Sequence, residues 1–254
     1  MYGTSCGLAG GSMKTIVLSL FLGLTAAPAI AGETGCVYDL KGEVMTMKAG
    51  QAAWAAAKKG LPVAEGDRLK TGPRAWCEIL FKDGSFIKME EESETAAEAL
   101  RSTAEERLFS FSFLKGKALW MAAKIKSRAT SFSVRTPSAV CAVRGTDFSI
   151  IVSTSGGTTV GLFEGKVAVS GAAQEKELLA GEEASAGAGG VAVQARLSRL
   201  MKAEERRYAR LKGRVEALRK RLAQRDTFID EYIGRQEKAL SDLENRRKEK
   251  LGKR

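Results

Sequence analysis

"SAVCAVRGTDFSI", residues 138–150, joins two apolar runs through Arg144-Gly145-Thr146, with no ordinary turn between them. If Ala139, Cys141 and Val143 form the inward set of a first strand, the second strand has Phe148, Ile150 and Val152 inward. The first set is odd-numbered and the second even. Side chains alternate strictly along a strand, so one residue has to be absorbed between them. Gly145 is the residue there that takes a positive φ at little cost, so Arg144-Gly145-Thr146 reads as a β-bulge or structural corner. Placing Val140 and Ala142 inward instead would bury Arg144. In the favoured register Arg144 faces outward or pairs locally with Asp147, and Thr146 satisfies backbone groups freed by the kink.

Outward from this stretch the same pattern continues. Strand-like runs include Gly42–Met47, Cys77–Phe81, Ser85–Met89, Phe109–Leu114, Ser131–Thr136, Thr158–Phe163 and Lys166–Ser170. Turn signals such as Lys82-Asp83-Gly84-Ser85 and Ser155-Gly156-Gly157 separate them. Short strands at this spacing predict a mainly β domain over 32–183, built as stacked or paired antiparallel sheets. Leu40-Lys41-Gly42-Glu43-Val44, Leu114-Lys115-Gly116-Lys117-Ala118 and Phe163-Glu164-Gly165-Lys166-Val167 repeat one form: apolar, charged, Gly, charged, apolar. Each opens a strand. Two interruptions look helical, a short Ala52–Lys59 loop and a surface helix over Glu90–Arg107.

Small and Gly-rich residues 184–193 predict a linker. After it, over 194–254, the period changes. Tyr208, Leu211, Val215, Leu218, Leu222, Ile229, Tyr232 and Leu243 recur at threes and fours, predicting one long helix over Leu197–Leu251, about 55 residues or ~80 Å. Its stripe reads as a helix-association seam, interrupted by Arg225 and Gln236 and weakened at Gly213 and Gly234. Residues 196–254 hold 20 Lys+Arg against 10 Asp+Glu, which is +10 of the chain's +11. The basic character belongs to this tail, where Arg206, Arg207, Arg219, Lys220 and Arg221 are candidate contacts for an anionic surface.

The N-terminus reads as an export signal. Lys14 precedes the apolar run Ile16–Leu24, and Ala29-Ile30-Ala31 is a small-x-small cleavage site. Cleavage after Ala31 predicts a periplasmic or otherwise exported chain, with Met13 as the better start. Cys36, Cys77 and Cys141 remain after cleavage. Cys77 and Cys141 are candidates for a disulfide, with two buried free thiols as the other reading. The chain has no histidine, which removes Ser-His-Asp and Cys-His catalysis. Asp83 and Glu90–Glu92 sit in turns and charge runs. No P-loop Lys follows Gly156-Gly157. No catalytic residue, cofactor site or metal site is read.

Val134-Arg135-Thr136-Pro137-Ser138-Ala139-Val140 and Val143-Arg144-Gly145-Thr146-Asp147-Phe148 resemble the signature of the FecR domain family. Leu69-Lys70-Thr71-Gly72, Glu78–Ser85, Phe163–Val169 and Leu179-Ala180-Gly181-Glu182 follow in matching order, so the resemblance covers about 36–185. It implies a periplasmic all-β domain. In the namesake regulators that domain relays the state of an iron-siderophore transporter to a sigma factor. This chain departs from them in showing no N-terminal anti-sigma segment and no internal transmembrane helix. The first expectation is therefore a non-catalytic envelope binding or scaffold module, working through a protein partner or through self-association of the helix. One alternative is a signalling component of an iron-uptake or sigma-factor system. Another is a tail that binds anionic lipid, lipopolysaccharide or cell-wall polymer. Nucleic acid is not an expected partner.

Overall fold

In a computed structural model the described residues are 34–102, 106–124, 130–171 and 174–252. The expected leader, 1–31, lies outside them. The first strands are β1 (Gly35–Lys41), β2 (Val44–Met47), β3 (Ala55–Ala56), β4 (Pro62–Val63), β5 (Arg68–Thr71) and β6 (Trp76–Phe81). Then come β7 (Phe86–Met89), β8 (Glu94–Ser102), β9 (Arg107–Met121), β10 (Thr130–Arg135), β11 (Val140–Val143) and β12 (Asp147–Val152). The last are β13 (Thr158–Glu164), β14 (Lys166–Ser170), β15 (Glu175–Leu179), β16 (Glu183–Gly187) and β17 (Gly190–Gln194). Helices α1 (Arg199–Gln224) and α2 (Phe228–Gly252) follow.

Pairing sorts the strands into two sheets that share β9. Sheet A runs β4-β1-β6-β7-β9-β12-β13-β16-β17. Sheet B runs β3-β2-β5-β8-β9-β10-β11-β14-β15. Up to Lys115, β9 pairs with strands of sheet B; from Gly116 onward it pairs with β12 and β7 of sheet A. The fold is mainly β as expected, with one departure from antiparallel order: β9 and β10 run parallel.

The apolar-charged-Gly-charged-apolar repeat marks where the chain changes sheets. Gly42 (φ 77°) stands between β1 and β2, Gly116 (φ 90°) inside β9, and Gly165 (φ 91°) between β13 and β14. At Gly116 no side chain fits, because a Cβ would lie 2.5 Å from Ser93 Cα and 2.8 Å from Glu92 O. The buried Ser93 hydroxyl accepts from Lys117 N (2.9 Å) and donates to Lys117 O (3.0 Å), fastening the kink.

Between the sheets lies one aromatic-rich core. Phe111 packs on Trp120 with centroids 5.3 Å apart, and Trp120 stacks on Phe148 at 6.3 Å. A second apolar layer covers the outer face of sheet A, where Cys36, Leu80, Phe86, Leu119 and Met121 meet Tyr208, Val215, Leu218, Leu222 and Ile229 of the helices. The helices belong to the same unit as the sheets, Ala31–Arg254.

Several sequence expectations are corrected here. The Gly-rich stretch 184–193 is the β16–β17 hairpin, not a linker: Ala184, Ala186 and Val191 alternate inward and join the core. The helix expected over Glu90–Arg107 is replaced across Glu94–Ser102 by β8, in which Thr95, Ala97 and Leu100 are buried, with a bulge between Ala97 and Ala99 that shifts the alternation. Packing on a sheet overrides the helical preference of its alanines. Ala52–Lys59 contributes the two-residue β3.

The single rod expected over Leu197–Leu251 is two helices broken at Arg225–Thr227. Phe228 N donates to Arg225 O (3.1 Å), Thr227 Oγ1 donates to Glu231 Oε1 (2.7 Å), and Asp230 and Glu231 sit in the first turn of α2. Acids in the first turn of a helix favour its dipole. The expected association seam is covered by the chain's own sheet: Tyr208, Val215, Leu218, Leu222 and Ile229 are buried, and Leu211 and Tyr232 half-buried. Leu243 of α2 is the exception, 60% exposed. Finally, Cys77 and Cys141 form no disulfide. Both are buried free thiols, Cys77 on sheet A and Cys141 on sheet B.

Candidate functional site at the corner under the helices

Arg144-Gly145-Thr146 carries the chain from β11 in sheet B to β12 in sheet A. Gly145 has φ 62°, and a Cβ on it would come 2.9 Å from Lys124 Cα. Arg144 is exposed. Thr146 is fully buried; its Oγ1 donates to Lys166 O (2.9 Å), while its carbonyl accepts from Ala122 N (3.0 Å). Gly165 lies against the same threonine, since a Cβ there would sit 2.9 Å from Thr146 Oγ1. Two sheet crossings therefore nest into each other. Asp147 and Glu164, which flank them, are directly paired across β12 and β13.

Helix α1 reaches down onto this corner. Tyr208 stacks on Phe163 (5.3 Å, 20° between planes) and its Oη donates to Glu164 Oε2 (3.0 Å). Lys212 Nζ lies 2.7 Å from the same oxygen, and Lys124 pairs with Glu164 Oε1. The hydrogen bonds from Lys124 and Lys212 hold the Glu164 carboxyl at about 2, below its ordinary value. Asp147 is shifted the other way: burial raises it, against the pull of Arg219. Burial also raises Tyr208, with the two carboxylates adding to the effect. Arg219 donates from Nε to Gly84 O (3.0 Å) and from Nη2 to Met121 O (3.0 Å), capping backbone carbonyls of sheet A. Asp83 accepts from Ser85 N and Ser85 Oγ, both at 2.7 Å, and burial of its carboxyl raises its pKa. Beside this set opens a cleft of about 510 Å³, lined among others by Lys82, Asp83, Arg107, Asp147, Glu164 and Arg219.

The rest of the helix–sheet contact repeats this plan, an apolar strip framed by ion pairs. Glu78 is buried between Lys88 (2.9 Å) and Arg214 of α1 (2.5 Å). Buried Glu204 meets Lys117 (3.1 Å), and Arg207 reaches Glu90 (3.0 Å). Lys82 holds Asp230 of α2 (2.8 Å), and Tyr232 Oη donates to Tyr38 O (2.6 Å). An unpaired buried carboxylate is costly, so these cations fix where α1 can sit.

Of the five candidate anionic-surface residues, Arg207 and Arg219 are committed to these internal contacts, while Arg206, Lys220 and Arg221 are exposed on the outer side of α1. The cationic partners of Glu78 and Glu164 escaped the sequence reading. One signal was present: Glu78 interrupts the otherwise apolar Trp76–Phe81 run, and a charge there needs a partner over it. Among the described residues no group of three or more His, Cys, Asp or Glu could hold a metal ion. The corner's charged groups answer one another within the fold, which suits a clamp for the helix.

Fold and site together define a two-sheet β body clasped by its own C-terminal helices. Residues 67–168 match the family model described as FecR protein, inside the 36–185 stretch where the motifs resemble that family. The match includes β9, the Arg144–Thr146 corner and the Gly165 crossing. No curated protein matches the chain. Among solved structures, two crystal structures of a candidate anti-sigma factor from Parabacteroides distasonis ATCC 8503 are similar, each at 18% identity and a TM-score of 0.45. The alignment covers 54% of this chain and 63% and 62% of those two, so the chain spans less than two thirds of their length. No helix among the described residues is long and apolar enough to cross a membrane.

Proposed function

We propose that this chain is a non-catalytic, exported signalling component of the cell envelope, acting through protein contacts in a regulatory system of the sigma-factor or iron-uptake type. The observation that carries the reading is the FecR family match over 67–168, which favours the signalling alternative over a general scaffold. The ion-pair lattice agrees with a binding role, because its raised and lowered carboxyls are spent on holding α1. A leader cleaved after Ala31 would deliver the chain to the periplasm, and no cofactor is required.

Transcript profiling of a deletion strain tests the proposal. A confined set of genes should change and return on complementation with the wild-type chain. Unchanged transcripts would overturn signalling and leave the scaffold reading. Cell fractionation checks export: the mature chain should begin at Gly32 in the periplasmic fraction, and uncleaved chain in the cytosol would refute it. A second reading rests on exposed Arg206, Lys220 and Arg221. Binding of the chain to anionic vesicles that falls steeply with salt would support it.

A further inference from the structure

Among the described residues the two sheets end in four edge strands, and these differ in kind. β3 and β4 are two residues each. β15 carries Glu175, Lys176 and Glu177, and charges on an edge discourage strand addition. β17 is Gly190-Val191-Ala192-Val193-Gln194, five residues without a charge or a proline. Among the described residues it pairs with β16 alone. Val191 and Val193 share one side of this strand. Val191 is buried, its Cγ2 close to Gly171, whereas Val193 is 39% exposed. An apolar side chain thus stands at the end of the core with little over it, beside an open row of backbone donors and acceptors.

We propose that β17 is a dimerisation edge that pairs antiparallel with β17 of a second copy, joining two A sheets into one. The strand itself specifies a second copy as the occupant. Its central Val191-Ala192-Val193 is symmetric about Ala192, so an antiparallel register centred there sets Val191 of each copy opposite Val193 of the other and Gly190 opposite Gln194. Both valine pairs lie on the core side, and each exposed Val193 gains an apolar neighbour. Ala192 faces Ala192 on the other side, where two small side chains fit under the ladder. A two-fold interface has to be self-complementary in this way, and the strand brings no like charges into opposition. Self-association is thereby assigned to a sheet edge, since the helical seam is occupied within the chain.

The register makes the test sharp. Directly opposed residues of an antiparallel pair have Cα atoms about 4.5–5.5 Å apart, within the span of a disulfide. Ala192→Cys is introduced into the full chain, with Cys6→Ser to remove the thiol near the N-terminus; Cys36, Cys77 and Cys141 are buried and do not compete. Mild oxidation should give a reductant-sensitive dimer on a gel, well above that from Lys176→Cys on the charged edge. Val193→Lys should shift the wild-type mass distribution in sedimentation equilibrium towards monomer, with an unchanged circular dichroism spectrum. Equal cross-linking by the two cysteine variants would overturn the proposal. So would a mass distribution that Val193→Lys leaves untouched, or a wild-type chain that stays monomeric at every concentration, as an edge reserved for a different protein would.

Discussion

Docking of α1 on the chain's own sheet can be tested at one glycine. Gly161 lies in β13, and a Cβ placed on it would come 2.6 Å from Met201 Sδ and 2.7 Å from Met201 Cγ. Carbon contacts settle near 3.5–4.0 Å, so Gly161→Ala falls roughly 1 Å short of the room it needs. Met201 is fully buried, so any shift it makes must be taken up by the side chains packed around it. Overpacking of this kind costs about 1–3 kcal/mol, offset by up to ~1 kcal/mol from the lower chain entropy of alanine in the unfolded state. The expected result is a lower urea midpoint for the full chain, followed by far-UV circular dichroism, and a Tm lower by several degrees. Met201→Ala alone should cost about 2–5 kcal/mol as a buried truncation. Combined, the two changes relieve each other, because the shortened side chain vacates the space that the new methyl takes. The double variant should therefore be at least ~1 kcal/mol more stable than the two single effects added together. Additive effects, or a neutral Gly161→Ala, would mean that the helix does not rest there and that its seam is free for another chain.

Other perturbations reach different parts of the fold. Gly116→Val forces a branched side chain onto φ 90° and into the Ser93 backbone, and should leave little folded protein by thermal melt; a Tm near wild type would refute the sheet crossing. Glu164 has a folded pKa of about 2 against an ordinary 4.5, so its contribution to stability is complete above 4.5 and is lost as pH falls towards 2. The group is partly exposed, and screening limits that contribution to about 1 kcal/mol; Glu164→Gln should therefore lower the urea midpoint at pH 6 and make no difference near pH 2. Burial raises the Cys141 thiol to about 12 and pushes Cys77 higher still, so neither should react with a thiol reagent in the native chain. Both should react in denaturant without prior reduction, and a disulfide recovered from oxidised native protein would contradict this.

Much of the β body was legible because period-two alternation is a strong local signal. The change of parity between Cys141 and Phe148 marks a kink in one sequence with no neighbours known, and Gly145 is the residue there able to form it. The three-fold Gly repeat was visible too, but its meaning was not: changing sheets depends on which strands lie beside it, and those are distant in sequence. The Ala-rich β8 misled for a physical reason. Its helical preference is intrinsic, whereas the burial that overrides it is supplied by β9 and β5. The apolar stripe of the tail was plain, and so was the need to cover it. What covers it was not, because Leu80, Phe86 and Leu119 belong to a sheet face whose exposure cannot be read from one strand at a time. The helix break had a weak signal in Thr227, Asp230 and Glu231, outweighed by the run of apolar positions on either side.

The strand common to both sheets has a mechanical consequence. Arg107 to Met121 forms one unbroken spar of 15 residues, so the two layers cannot slide past each other without tearing a ladder on one side or the other. Such a body rotates or travels as one piece. Information crossing it would have to ride on its outside, in the way the helical clasp grips or loosens, because the interior is cross-braced against shear.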